Sequence, residues 1–333
     1  MVPVDVAGSL VFGARVKHTA GGSISLVGIL GLAIPVAALM GGSIAAADSK
    51  TATISAATST IQVPWGPVGM TLRSAEAERL ALGPAAVAVD AQGDALVLDN
   101  WGLRVWRIGR AISKLSHMLP RDTEDVIAWD DGALAVYRPL GRSVELFSRD
   151  GAKQGSLSIP RAVVDVGLLE AGPSHRVLVE DPFQETVTLG SSAAPFDEAS
   201  VLRSRKDGVH GGLEVLVRKG RALLRVLDRG ERKSIGRQWP LGSDVRGALI
   251  IGRAGDIACV RLERTSGTVE FHTARQVVCL DVVSGRQTLR VGLPPPGLYV
   301  PRRELALGGT PLTLVHIEPQ KSGLLIRRWE VAR

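Results

Sequence analysis

The sequence predicts an all-β chain: a β-propeller of about six four-stranded blades, closed by an N-terminal strand that pairs into the last blade. Three observations lead there. A strand, a short Gly or Asp turn and a second strand recur six times; the recurrences are spaced like propeller blades; and helix signals are nearly absent.

The paired runs are 86–99 (AVAVDAQGDALVLD), 125–138 (DVIAWDDGALAVYR), 163–181, 211–228 (GGLEVLVRKGRALLRVLD), 247–263 (GALIIGRAGDIACVRLE) and 303–318 (RELALGGTPLTLVHIE). Their starts lie 39, 38, 48, 36 and 56 residues apart, close to the 40–50 residues that a four-stranded blade occupies. Each pair opens a blade and is followed by a third apolar stretch: 103–108, 143–147, 185–189, 232–235, 275–283 and 323–331. A fourth stretch then ends at a proline, in Leu119-Pro120, Ile159-Pro160, Ala194-Pro195, Trp239-Pro240 and Leu293-Pro294. Proline suits the outermost strand, where a missing N–H costs no ladder bond. No such ending follows the sixth pair, but Thr60-Ile61-Gln62-Val63-Pro64 has the same form near the start of the domain. That strand therefore completes the last blade and removes an open sheet edge. The competing architecture is a β-sandwich, or two smaller β domains, since alternating strands with turn signals serve those folds too.

One helix is expected, over 74–82 (SAEAERLAL), which has a capping residue, an Ala- and Glu-rich interior and a stop at Gly83. The next segment, Gly83-Pro84-Ala85 through Asp99-Asn100, followed by Arg104-Val105-Trp106-Arg107-Ile108, resembles an NHL-repeat blade. In that family a proline leads into an apolar strand ending in Asp, a Gly turn follows, a second strand ends in Asp or Asn, and an Arg-led third strand closes the unit. The resemblance covers about 26 residues. It implies a six-bladed fold and no particular activity, because NHL and related propellers include binding modules, lyases and hydrolases.

The first 47 residues differ from the rest. Arg15 and Lys17 precede an apolar run of 17 residues, Ile24 to Met40, and small residues end in Ala45-Ala46-Ala47. That order is a signal peptide or, uncleaved, an N-terminal membrane anchor; in both cases residues 48–333 form a single domain outside the inner membrane, periplasmic or extracellular. Without residues 1–47 the chain has 286 residues and a net charge of +6, with no block of five like charges. The modest basic excess fits a solvated face or contact with an anionic surface such as polysaccharide, lipid headgroups or nucleic acid. Aromatic residues make up only 4%, against the stacking platforms of single-strand binders, so no specific nucleic-acid partner is expected.

Chemistry-bearing motifs are scarce. There is no G-x-S-x-G elbow, H-E-x-x-H, P-loop, dinucleotide fingerprint or C-x-x-C. Asp90, Asp94, Asp99 and Asn100 are the candidate oxygen ligands for a calcium ion, although such residues at strand ends commonly bond turn amides instead. Cys259 and Cys279 are the two cysteines. A hairpin centred near residue 269 would place them opposite each other and within disulfide range; a turn at Ser266-Gly267 would leave two buried thiols. The scattered histidines, 117, 175, 210, 272 and 316, and tryptophans, 101, 106, 129, 239 and 329, read as surface or packing residues. The expected function is an exported, monomeric, non-enzymatic module that binds a protein or an anionic surface polymer and needs no cofactor. The alternative is a metal-dependent hydrolase or lyase, which requires acidic or His side chains around the axis.

Overall fold

The computed structural model describes residues 55–73, 82–115, 118–161, 163–180, 186–190, 213–227, 235–266 and 272–332. Residues 1–47, residues 74–81 of the helix expected over 74–82, His117, His210 and Ala194-Pro195 lie outside them.

Among the described residues the strands form six antiparallel sheets. The first strand, β1 (Ser59–Val63), belongs to the last of them. Sheet I is β2 (Ala86–Val89), β3 (Ala95–Asp99), β4 (Arg104–Ile108) and β5 (Ile112–Lys114). Sheet II is β6 (Asp125–Ala128), β7 (Leu134–Arg138), β8 (Ser143–Phe147) and β9 (Lys153–Ser158). Sheet III shows β10 (Leu168–Ala171), β11 (Val177–Glu180) and β12 (Thr186–Gly190), and sheet IV β13 (Leu213–Arg218), β14 (Arg221–Leu227) and β15 (Ile235–Gly242). Sheet V is β16 (Val245–Ala254), β17 (Ile257–Ser266), β18 (His272–Asp281) and β19 (Gln287–Leu293). Sheet VI is β20 (Leu305–Gly308), β21 (Thr313–Gln320) and β22 (Gly323–Glu330), with β1 paired to β22 through Ile61 opposite Ile326.

The inner strands explain why their sequences are apolar without alternation. Every residue of β2 and β3 is buried, because sheet I is covered on both faces. Ala86, Ala88, Leu96 and Leu98 pack with Val126, Leu134 and Val136 of sheet II. Their neighbours Val87, Ala95 and Val97 pack with Val315, Ile317 and Ile326 of sheet VI. Further clusters of the same kind join II to III, IV to V, and V to VI. The sheets thus follow one another face to face in the order III–II–I–VI–V–IV, with the first strands inward. This is the layout of a β-propeller.

Sheet IV departs from the expectation that 211–228 opens a blade. Its turn at Lys219-Gly220 lies beside the start of β16, where the Val245 N–H donates to the Gly220 carbonyl at 2.8 Å. At the other end of the sheet, Trp239 Nε1 donates to the Val282 carbonyl at 3.0 Å, in a turn of sheet V remote from the start of β16. β13, β14 and β15 therefore run with the polarity of second, third and fourth strands. Any hairpin of a meander has the same alternation and the same Gly turn, so nothing local in 211–228 encodes its direction.

Candidate binding face

In an antiparallel four-stranded meander, the crossover into the first strand and the turn between the second and third strands lie at one end of the sheet. The other two turns lie at the opposite end. The first is called here the entry end.

Three consecutive residues ahead of β20 hold the entry end together. Arg303 Nε and Nη2 donate to the two carboxylate oxygens of Asp125 at 2.9 and 2.8 Å, and the Leu169 N–H donates to the same carboxylate at 3.0 Å. Its backbone also bonds sheet I, accepting from the Val87 N–H at 3.1 Å. One arginine thereby ties sheets VI, I, II and III around a fully buried aspartate. Arg302 pairs with Glu124, donates to the Gly167 carbonyl at 3.1 Å and lies over the Tyr137 ring at 5.3 Å. Glu304 turns the other way. It accepts from Arg275 Nη1 at 2.7 Å and from Arg261 Nη1 at 2.9 Å, both in sheet V, and lies 3.6 Å from His316 Nε2. Burial raises the Glu304 carboxyl, but His316 and Arg275 outweigh it and hold the group at about 2. Sequence reading passes over these residues, because the run Arg-Arg-Glu has no local signature and its partners lie 12 to 178 residues away.

The outer surface of this end is both apolar and basic. Leu140 is 88% exposed, Val68 85% and Val164 81%, and Met118, Val300, Leu82 and Trp101 are also exposed. All seven lie in entry crossovers or in turns between second and third strands. Exposed cations occupy the same segments: Arg73, Arg121, Arg142, Arg161 and Arg302 beside those side chains, and Lys219 and Lys321 in turns of sheets IV and VI. Arg73 stacks over the Trp101 ring at 5.0 Å. The exposed acids among these described loops are Asp165 and Asp244. The opposite end is electrically mixed, with Asp130, Asp131, Asp150 and Asp256 exposed alongside Arg110, Arg149, Arg176 and Arg286. It carries a cleft of about 290 Å³ beside Trp129, Asp131, Arg149 and His175, in which His175 Nε2 lies 2.9 Å from Asp131.

The candidate calcium ligands divide between the two ends. Asp90 and Asp94 stand in the turn before β3, whereas Asp99 ends β3 and Asn100 follows it, roughly 17 Å of extended strand away. Asp90 Oδ1 accepts from the Gln92 and Asp94 N–H groups at 3.0 Å, and its Oδ2 lies 3.1 Å from Arg107 Nε. Asp99 accepts from the Gly102 N–H at 2.8 Å and the Thr71 N–H at 2.9 Å. Burial outweighs those bonds and raises the Asp99 carboxyl; burial and the nearby Asp90 raise Asp94. No group of three or more His, Cys, Asp or Glu side chains suited to a metal ion occurs among the described residues. Cys259 and Cys279 face each other in the β17–β18 ladder, whose register is centred on residue 269, and are joined in a disulfide at the buried junction with sheet VI. Trp106, Trp129 and Trp329 are buried in the junctions, whereas Trp101 is exposed at the entry end.

No family model matches the chain, and no curated protein matches it in sequence. Solved structures similar to it include a member of the duf4221 family from Bacteroides vulgatus, at 9% identity and a TM-score of 0.44 over 84% of this chain and 98% of that one. Virginiamycin B lyase from Staphylococcus aureus is similar at 9% identity and a TM-score of 0.41, over 74% and 94% of the two chains. Hsv2 from Kluyveromyces lactis is similar at 10% identity and a TM-score of 0.39, over 76% of each.

Proposed function

We propose that this chain is an exported six-bladed β-propeller, its ring closed by β1 in sheet VI, and that it acts as a non-enzymatic binding module in the envelope or outside the cell. Residues 1–47 supply the export signal or the anchor. The entry end is the docking face. One observation carries this reading: exposed apolar side chains and exposed cations gather at that end, while the opposite end carries balanced charge. Large exposed apolar side chains concentrated in one region mark interaction surfaces.

The alternative, a metal-dependent hydrolase or lyase, needs carboxylates free at the inner strands. Asp125, Glu124 and Glu304 are engaged by arginines, which suits a framework role. The test is site-specific photo-crosslinking in cells. A crosslinker at Leu140 or Val164 is expected to capture an envelope component, and one at Val283 on the opposite end is not. Capture from Val283 alone, or from none of the three, removes the reading.

A further inference from the structure

The entry end has a pattern finer than its overall charge. Each of four exposed aliphatic tips has an exposed arginine two or three residues away: Met118 with Arg121, Leu140 with Arg142, Val164 with Arg161, and Val300 with Arg302. The four tips sit on different loops, contributed by the segments entering sheets II, III and VI and by the β7–β8 turn. Arg142 joins two of these loops by donating to the Pro160 and Val163 carbonyls at 2.9 and 2.8 Å, Arg302 joins a third by donating to the Gly167 carbonyl at 3.1 Å, and Trp101 is the one aromatic among the exposed large apolar side chains of the described residues. A protein partner is normally held through a continuous, well-packed patch rich in aromatic residues. A lipid surface makes no such demand, because acyl chains and headgroups move to accommodate each inserted side chain. Aliphatic tips bracketed by arginine are the chemistry of that boundary: the apolar end enters below the headgroups while the guanidinium reaches a phosphate and its methylene stem lies along the interface.

On the reading that the entry end is the docking face, we propose that it docks on an anionic phospholipid bilayer, with Met118, Leu140, Val164 and Val300 inserting and Arg121 and Arg161 binding lipid phosphate, while Arg142 and Arg302 hold the loops in place. Charge complementarity selects the lipid class. Among the described residues of these loops exposed cations outnumber exposed acids, with Asp165 and Asp244 against seven Arg and Lys, so anionic headgroups attract this end more than the balanced opposite end.

The test is vesicle flotation of the full chain, comparing vesicles of phosphatidylcholine with vesicles containing one-third phosphatidylglycerol. The N-terminal apolar run is common to every variant, so differences among them report the propeller. Partition onto the anionic vesicles is expected to exceed that onto phosphatidylcholine by roughly tenfold at low salt and to shrink as salt rises. The double change Leu140→Ser, Val164→Ser is expected to remove most of that gain, and Val283→Ser at the opposite end to leave it intact. All these side chains are exposed, so thermal melts of the variants should match the parent. Equal partition onto both vesicle types overturns the proposal. So does a gain that survives Leu140→Ser, Val164→Ser but is lost in Arg121→Ser, Arg161→Ser and competed by dextran sulfate, which would identify a polyanion site with no insertion. If vesicle binding is absent while crosslinking from Leu140 still captures an envelope protein, the lipid assignment falls and the binding-module reading stands.

Discussion

Glu304 shows how much of this molecule rests on single buried charges. Its carboxylate is held at about 2 against an ordinary value of 4.5, so the folded state binds its proton more weakly than the unfolded chain does. The stability this confers is fully present above pH 4.5 and is lost as pH falls from there toward about 2. The shift corresponds to about 3 kcal/mol at neutral pH, similar to the cost of breaking a buried ion pair. Glu304→Gln should therefore lower stability by about 3 kcal/mol in denaturant titrations at neutral pH, leaving Arg275 uncompensated while Arg261 keeps Glu263. The gap between parent and variant should close as the pH is lowered through that window. Using the difference isolates Glu304 from Asp99, whose raised carboxyl acts with the opposite sign. A gap independent of pH would show that the carboxylate's charge is not what stabilises the contact. Asp90 makes a different prediction. Its oxygens already serve the Gln92 and Asp94 amides and Arg107, so calcium should leave the thermal midpoint of the protein unchanged. The turn role of Asp90 was legible from its place between an apolar strand and a glycine. The role of Arg303 was not, because its partners lie 134 and 178 residues away and no short-range rule links them.

At the level of elements, sheet V is the best specified by sequence. Its strands are long, and of the two registers left open by the cysteine spacing the β17–β18 ladder takes the one centred between Cys259 and Cys279. The disulfide spans 20 residues. Loop-closure entropy assigns such a link about 3 kcal/mol, and the double change Cys259→Ala, Cys279→Ala should lower stability by about that amount in chemical denaturation. A reductant should do the same to the parent and nothing to the variant. β1 is short, and most of its outer residues are exposed, yet Val63 is buried against sheets I and VI. Val63→Asp places a charge there with no partner and should cost several kcal/mol, read as a fall in the thermal midpoint. The proline that follows β1 made it recognisable as an outer strand. In sheet IV the same logic placed Trp239-Pro240 correctly in the outer strand and still assigned 211–228 the wrong position. Proline marks an edge, but alternation gives neither the direction of a strand nor its rank within a sheet.

Across the whole molecule, stability lies in the junctions between sheets. Leu98 is fully buried between sheets I and II, and Leu98→Ala should cost about 2–5 kcal/mol by calorimetry, with the larger values expected because both covering sheets are held by their own ladders. These junctions explain why the repeat could be read at all: strands covered on both faces lose their alternation and become the short apolar runs that recur along the sequence. The separation of surface character between the two ends was hidden for the opposite reason. It is assembled from one or two residues in each of many loops, so no window of sequence contains it.

The pairing of β1 with β22 also sets the order in which this protein can fold. Arg328 and Ser59 meet across 268 residues of intervening chain. Hairpins such as β3–β4 and β7–β8 need only a few residues to close and can form at once, whereas sheet VI cannot be completed until both distant strands are present together. A chain still being made is then a string of local sheets with one face of β22's partner set exposed and β1 unmatched. Removing 323–332 should leave the polypeptide in that state, and limited proteolysis should find it cut near β1 while the intact chain resists. On that outcome the β1–β22 pairing works as a check on completeness, with only a molecule carrying both strands reaching the compact, protease-resistant form.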